Sequence, residues 1–511
     1  MTDRDRSSDV AQVEAAPAPR VGRNITALAS GQLVTWTMTL AWTIVVPRAL
    51  GPAGMGVLVT AWSVTGVFGV ILGLGTRNYL VRELVVDPDC ASRLVGTAIV
   101  LRVLLAPLFL CSVAVFGLVA NYGRAETLVL DLAAVAMVLT LVGEPMQAAF
   151  QAIERMEYLA YSDVINKSAQ GLVGIVLALL GFRTLGITAS WIVVAAIVIV
   201  LNAVWLRRHV AIVLRTTRRR IADMVRNSFA YWAFGVFFLV YLWIDSIMLS
   251  LMTRPEVVGW YGAPTRLFQT LMFLPMVVST AWLPRLVRAF QAGPGELHRS
   301  ARAPLELVLV LSLPICAATA ILARPMIHLL YGSAYAEAAP VLIILGLCVP
   351  PMYLNIMLNQ VLVAAKRQMS WTWVMAGATV INPLFNLALI PATEERFHNG
   401  AIGAAISLLL TEVVIVAVGI VIVGRTVFDR AVIRRTLLAG VASAAMWGVA
   451  YAMRPLGLVP ALLAAGVTFV LLAALLRLVT PSELAWLRAC FRRVLRRSSV
   501  SAAGADAPSS A

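Results

Sequence analysis

Charged residues are scarce in this 511-residue chain: Asp, Glu, Lys and Arg together make up 13% of it. A soluble globular domain carries about a quarter charged residues. Lysine is nearly absent, since Lys167 and Lys366 are the only two, whereas hydrophobic residues reach 60% and the mean hydropathy is +0.88. This composition excludes a water-soluble enzyme, a disordered scaffold and a fibrous protein. It indicates a polytopic membrane protein.

Cysteine and histidine are also scarce, with five and four residues respectively. Cys111, Cys316 and Cys348 lie within apolar runs, and none of the cysteines or histidines has the spacing of metal ligands. The sequence also lacks a Walker-type glycine-rich loop and any soluble segment large enough to hydrolyse ATP. We therefore predict no disulfide, no metal site, no bound cofactor and no enzyme activity.

The net charge of +16 comes almost entirely from arginines, which lie in short stretches between apolar runs. A nucleic-acid-binding surface is a contiguous basic face interleaved with aromatic residues, and the sequence shows no such pattern. Arginines between apolar runs are instead typical of loops that orient a membrane protein. We predict no nucleic-acid partner.

Fourteen apolar stretches are each long enough to cross a bilayer as a helix, which takes about 20 residues. They cover about 24–47, 56–76, 94–119, 128–150, 163–182, 184–206, 229–252, 257–281, 304–323, 338–364, 371–391, 400–424, 435–453 and 457–479. Helices are predicted because backbone groups in hydrocarbon must be paired within the segment, and because strands of a membrane barrel alternate apolar and polar residues. Of the 41 Lys and Arg residues, 31 fall on the side of the N-terminus and 7 on the other side. This bias predicts that both termini are cytoplasmic.

The predicted organisation has six parts. They are a disordered cytoplasmic tail (1–22), an N-lobe of six spans (23–206), a basic cytoplasmic linker (207–228), a C-lobe of six spans (229–424), two further spans (425–479), and a basic amphipathic and disordered cytoplasmic tail (480–511). An internal repeat supports the two lobes. Pro52 and Gly56, after the first span, correspond to Pro255 and Gly259, after the seventh, at an offset of 203.

Because each repeat holds six spans, both copies start from the same membrane side. The predicted fold is therefore all-α, with two six-helix lobes related by a pseudo-two-fold axis along the membrane normal, plus two extra C-terminal helices. Two such lobes on either side of a central cavity are typical of a transporter that works by alternating access.

Three sets of motifs point to a family. Residues 48–56 read RALGPAGMG, residues 329–342 read LLYGSAYAEAAPVL, and residues 382–391 and 399–405 read NPLFNLALIP and NGAIGAA. In this order they resemble motifs of the polysaccharide-biosynthesis and export branch of the MATE/Wzx/MurJ-like flippase superfamily. The resemblance covers about four-fifths of the chain, from residue 24 to residue 425.

The resemblance implies a flippase that moves an undecaprenyl-pyrophosphate-linked oligosaccharide from the inner to the outer leaflet of a bacterial cytoplasmic membrane, for cell-surface polysaccharide biosynthesis. Its expected partners are membrane lipids, the lipid-linked oligosaccharide, and a polysaccharide polymerase or glycosyltransferases. Whether transport is coupled to H+ or Na+ remains open. So do two related functions, a lipid II flippase of peptidoglycan synthesis and a cation-coupled multidrug antiporter. A membrane glycosyltransferase or polymerase would need a catalytic carboxylate or an enlarged outer loop, and the longest outer loop here has about 14 residues.

Charges within apolar spans are costly and mark candidate sites. Asp245 in the seventh span and Arg266 in the eighth lie at matched depth, so we expect them to pair. The pair would either lock two helices together or face a cavity, where Arg266 meets a pyrophosphate. Arg102 in the third span would bind a phosphate or extend to the membrane surface.

Further polar residues complete the predicted cavity. Glu144, Gln147 and Gln151 are spaced to share one face of the fourth span, where they would hydrogen-bond sugar hydroxyls. The C-lobe contributes Gln269, Asn355, Asn359, Asn382 and Asn386. Hydrogen bonding between helices is the alternative role for these residues.

Overall fold

A computed structural model describes residues 19–424 and 428–478, with side chains from residue 35 onward except at 230, 234 and 294. Within this part the chain is helical and contains no strand. Its fifteen α-helices are α1 (Pro19–Gly73), α2 (Thr76–Val86), α3 (Ala91–Val119), α4 (Arg124–Ala152), α5 (Met156–Leu179), α6 (Thr184–Leu206), α7 (Arg218–Met252), α8 (Pro255–Leu271), α9 (Phe273–Ala292), α10 (Pro294–Tyr331), α11 (Ala338–Ala364), α12 (Gln368–Phe397), α13 (Gly400–Val423), α14 (Arg430–Ala452) and α15 (Leu458–Leu475).

Twelve stretches of the described residues are long and apolar enough to cross a membrane. One of them, Thr35–Gly73, overlaps both of the first two predicted spans, and helix α5 forms the fifth span although its polar residues keep it out of the twelve. Each of the fourteen predicted spans therefore lies on helical residues, the eighth on α8 and α9 together. The predicted tails fall mainly on residues 1–18 and 479–511, outside the described part, and α1 already begins at Pro19.

The helices form the two predicted lobes. In the N-lobe (α1–α6), α1 packs on α5, α4 on α6, and α3 on α4. In the C-lobe (α7–α13), α12 packs on α13, and α10 and α13 both pack on α11. Helices α14 and α15 pack against each other, and α14 packs on α10. The predicted all-α fold with two six-span lobes and two further C-terminal spans is confirmed, while the exact domain boundaries stay a prediction.

A glycine turn divides α1 into the first two spans. Gly51 has φ 70°, which a residue with a side chain rarely adopts, and Pro52 starts the next helical segment. We call the membrane face that holds this turn and the 253–254 connection the Gly–Pro face. The opposite face holds the connections 87–90 and 207–217, joined by a hydrogen bond from the Val213 N–H to the Ser92 carbonyl (3.2 Å). We call it the basic face.

The two lobes meet at the Gly–Pro face through their backbones. A Cβ atom added to Gly56 would lie 1.8 Å from the carbonyl oxygen of Pro255, and one added to Gly259 would lie 2.0 Å from that of Pro52. These four residues, which we call the Gly–Pro contact, are the pairs that the sequence repeat relates. Since each glycine faces the proline carbonyl of the other lobe, the pseudo-two-fold axis passes between them.

Ion pairs join α14 to the C-lobe. Arg435 of α14 binds Glu306 of α10 at 2.5 Å, and Arg302 of α10 binds Asp429 at 2.6 Å. Asp429 is the N-cap of α14. The backbone N–H of Val432, which donates to its Oδ1 at 3.0 Å, and the guanidinium of Arg302 lower the pKa of this carboxyl below its ordinary value.

Candidate functional site

A cavity of about 600 Å³ lies between the lobes. It extends from the middle of α1 and α8 toward the basic face, and Gly66, Gly69 and Gly73 of α1 leave room for it. Its other lining residues are about half aromatic or charged. They include Trp62, Arg77 and Glu144 of the N-lobe and Trp232, Trp243 and Arg266 of the C-lobe.

The N-lobe wall of the cavity carries two arginines that share one carboxylate. Glu144 Oε2 accepts a hydrogen bond from Arg102 Nη2 at 2.6 Å, and Glu144 Oε1 lies 3.5 Å from Arg77 Nη1. Arg102 is fully buried and also donates to Thr76 Oγ1 (3.0 Å) and to the Leu141 carbonyl. The alternative that Arg102 extends to the membrane surface is therefore wrong. One negative charge is shared by two guanidinium groups, so this wall has a surplus of positive charge.

The C-lobe presents Arg266 to the cavity beneath two indole rings of the N-lobe. Its Cζ lies 4.0 Å from the ring centroid of Trp62 and 4.7 Å from that of Trp42. The predicted ion pair between Arg266 and Asp245 is not formed. Arg266 points across the cavity to the N-lobe, whereas Asp245 has all its hydrogen bonds within the C-lobe.

Asp245 lies at the centre of a buried hydrogen-bond network. Its Oδ2 accepts from the Tyr261 hydroxyl at 2.9 Å, and its Oδ1 accepts from Asn386 Nδ2 at 2.7 Å. Asn386 Nδ2 also donates to Asn382 Oδ1 at 2.9 Å. The network joins α7, α8 and α12, so Asn386, which also donates to Asn382, binds the carboxylate that was expected to pair with Arg266.

A second buried carboxylate, Glu412 of α13, lies in the same lobe. It accepts hydrogen bonds from the Tyr241 hydroxyl and from Asn355 Nδ2. This network joins α7, α11 and α13. Asn355 therefore forms hydrogen bonds between helices, which was the alternative role for it. It does not line the cavity between the lobes.

At the Gly–Pro face, side-chain hydrogen bonds add to the Gly–Pro contact. The Tyr122 hydroxyl of the N-lobe lies 2.6 Å from Ser250 Oγ of the C-lobe. The Tyr335 hydroxyl of the C-lobe donates to the Pro47 carbonyl of the N-lobe at 3.0 Å. The lobes are therefore closed on each other at this face, on the far side of the cavity from the basic face.

Comparison with known families gives a match over residues 21–290 to the family described as polysaccharide biosynthesis protein. The chain belongs to this polysaccharide biosynthesis protein family. A second family, described as MatE, matches residues 236–388. None of the curated proteins matches the chain.

Solved membrane transporters share the fold of this family member. The lipid II flippase MurJ, in an inward closed conformation, superposes with a TM-score of 0.72 at 12% identity over 88% of this chain and 98% of MurJ. An inward-facing multidrug resistance MATE family transporter of the MOP superfamily superposes with a TM-score of 0.63 at 13% identity, over 80% of this chain and 99% of that chain. A MOP superfamily transporter from Pyrococcus furiosus reaches 0.50 at 14% identity, over 80% and 96%. The chain therefore has the fold of these membrane transporters.

Several predicted site residues of this family member lie away from the cavity. Gln147 donates to Ser162 Oγ at 3.1 Å, and Asn202 donates to the same oxygen at 3.1 Å, which joins α4, α5 and α6. The prediction that Gln147 lines the cavity is wrong, because its side chain faces α5 of its own lobe. Gln151, Asn359 and the exposed Gln269 are likewise not among the residues that line the cavity.

Other residues of the site were missed from the sequence. Arg77 lies between two predicted spans, and Trp42 and Trp62 lie within the first two predicted spans, where aromatic residues are common. A usable signal was available for Arg77, which follows the short Gly73–Gly75 break between two helices. Among residues 19–424 and 428–478, no three His, Cys, Asp or Glu side chains are grouped so that they could hold a metal ion.

Proposed function

We propose that this protein is a flippase for a lipid-linked oligosaccharide with a pyrophosphate headgroup. It moves the substrate from the inner to the outer leaflet by alternating access, for the synthesis of a cell-surface polysaccharide. The observation that carries the proposal is the surplus of positive charge around the cavity, where Arg77 and Arg102 share the carboxylate of Glu144 and Arg266 of the other lobe adds a third positive charge.

The chemistry of the headgroup fits this charge. A pyrophosphate that enters the cavity loses hydration, and planar guanidinium groups replace it with short, charge-assisted hydrogen bonds. Arg77 and Arg266 line the cavity themselves, while Arg102 acts behind them through Glu144. A cationic drug would be repelled by the same groups, so the charge disfavours a cation-coupled multidrug antiporter.

The remaining parts of the proposal concern the orientation of the protein in the membrane and the energy source of transport. The basic face is the cytoplasmic one, both termini are cytoplasmic, and the protein lies in a bacterial cytoplasmic membrane with its polymerase or glycosyltransferase partners. The arginine bias between loops supports this orientation. We further propose that the buried carboxyl group of Asp245 carries a coupling H+ or Na+. Its support is that Asp245 accepts hydrogen bonds from Tyr261 and Asn386 and has no cationic partner among the described residues.

A lipid II flippase is the second candidate. The similarity to MurJ over 98% of that chain favours it. Lipid II is also a lipid-linked pyrophosphate, so the cavity charge fits both substrates, and the family description favours a polysaccharide precursor. A direct comparison of transport of the two substrates is needed to distinguish the two candidate functions.

Transport by the purified protein in proteoliposomes tests the proposal. Two fluorescent substrates are compared, a polyprenyl-pyrophosphate-linked oligosaccharide and lipid II. We expect faster transbilayer movement of the first, with Arg77→Gln and Arg266→Gln each reducing the rate at least tenfold. Arg434→Gln, a change at an exposed arginine of α14, is the control and should keep the wild-type rate. Full activity of both cavity variants would contradict the proposal, and a preference for lipid II would select the second candidate.

A further inference from the structure

The contact between Arg266 and the two tryptophans joins the lobes inside the cavity. Arg266 belongs to α8 of the C-lobe, whereas Trp42 and Trp62 belong to α1 of the N-lobe. A guanidinium within about 6 Å of an indole centroid is attracted to the ring face, and both rings meet this condition. The contact lies about two helical turns from Gly56 and Gly259, directly inside the Gly–Pro contact.

The two rings are held in place by their own lobe. Trp62 stacks on Trp191 of α6, with ring centroids 5.1 Å apart and an interplanar angle of 14°. Trp42 packs against Gly174 of α5, where an added Cβ would lie 2.9 Å from its Nε1. Rings fixed in this way present a pre-formed surface, so the guanidinium that binds them does not have to order them first.

We infer that Trp42 and Trp62 are positioning residues that hold Arg266 as a latch between the lobes, and that the anionic headgroup releases this latch. The inference rests on the proposed function. A phosphate oxygen and an indole face compete for the same guanidinium. When the headgroup takes Arg266, the N-lobe loses its attraction to α8, and the lobes separate more readily at the Gly–Pro face. Binding of the substrate is thereby coupled to opening on the far side.

Two readouts test the latch in protein reconstituted in nanodiscs. Spin labels at Arg48→Cys and Arg254→Cys, two exposed positions on opposite lobes of the Gly–Pro face, report the opening as a distance distribution. The five native cysteines are replaced in this background. Inorganic pyrophosphate is the probe for binding. The variants are Trp62→Leu, which removes the ring, and Trp62→Phe, which keeps a weaker one. Trp447→Leu, at an exposed tryptophan of α14, is the matched control.

Without pyrophosphate, Trp62→Leu should shift the label distances toward the open population relative to wild type. Because the competing ring is gone, it should also bind pyrophosphate about 2- to 30-fold more tightly. Trp62→Phe should change both readouts in the same direction by less, and it carries the test if the leucine variant does not fold. Trp447→Leu should change neither.

Wild-type distances in both Trp62 variants overturn the inference, because a merely structural tryptophan changes thermal stability without opening the Gly–Pro face. Unchanged or weaker pyrophosphate binding in the variants also overturns it. If the wild-type protein binds no pyrophosphate, the proposed function fails, and the distances without ligand still decide whether the latch exists.

Discussion

The Gly–Pro contact predicts that a single methyl group biases the conformation of the whole protein. In Gly56→Ala, the new Cβ would lie 1.8 Å from the carbonyl oxygen of Pro255, and in Gly259→Ala it would lie 2.0 Å from that of Pro52. Real Cβ atoms essentially never come within 3.0 Å of such a neighbour, so the backbones of α1 and α8 must separate by about 1 Å. Both obstructing atoms belong to the backbone, and no flexible side chain can yield.

The magnitude follows from the cost of overpacking, which is about 1–3 kcal/mol for a methyl group inserted into a tight contact. The conformation open at the Gly–Pro face does not contain this contact and is not affected. The ratio of open to closed molecules should therefore rise about 5- to 150-fold. Each substitution also slows transport, because the closed state is part of the cycle.

Distance measurements between labels at Arg48 and Arg254 check the shift in population. Gly377→Ala is the control, because that glycine lies on α12 with nothing within 4 Å of an added Cβ. Wild-type distances in Gly56→Ala and Gly259→Ala, together with normal transport, would refute the proposed close approach of the two lobes. A shift in the control as large as theirs would refute the assignment to this contact.

Three other outcomes are expected. Glu144→Gln leaves the fully buried Arg102 of α3 without its counter-charge, so it should lower the free energy of unfolding by about 3–5 kcal/mol. Denaturant titration measures this change, and a value below about 1 kcal/mol would contradict the burial of Arg102. Asp245→Asn and Arg266→Gln should act additively on stability, within about 0.5 kcal/mol in a double-mutant cycle, because the two residues are not paired, and rescue by the double variant would contradict the geometry. The pKa of Asp429 is lowered by the Val432 N–H, so its contribution to stability is complete above the ordinary value of about 3.9 and is lost as pH falls through the lowered value. The difference in melting temperature between wild type and Asp429→Ala should accordingly vanish only in strong acid.

The spans were predictable from the sequence because a bilayer leaves the backbone little choice. Helices are required wherever an apolar segment crosses hydrocarbon, so the fourteen apolar stretches led directly to helices. Helix α5 shows where such a prediction loses accuracy. The predicted fifth span begins at residue 163, but the helix begins at Met156. Hydropathy locates the apolar part of a helix and not its polar first turns.

The partners of the buried polar groups were not predictable in the same way. Asp245 and Arg266 do lie at similar depth in neighbouring helices, which is all that position in the sequence reveals. Whether two such side chains meet depends on how each helix is rotated about its own axis, and tertiary packing decides that rotation. Here α7 directs Asp245 toward Asn386, and α8 directs Arg266 toward Trp62.

The sequence repeat explains why the two lobes make equivalent contacts at the Gly–Pro face. It also shows where they differ deeper in the membrane. At the Gly–Pro contact the two-fold axis places each glycine against the proline carbonyl of the other lobe, so the same close contact occurs twice. Ten ångströms or so deeper, the same offset of 203 relates Trp62 to Thr265 and Ser63 to Arg266. Strict symmetry there would give two such contacts, with a second ring at position 265 and a second guanidinium at position 63. Since one lobe supplies the rings and the other the charge, the lobes attract each other at the depth where an anion can intervene, and because the repeats differ there this attraction occurs once.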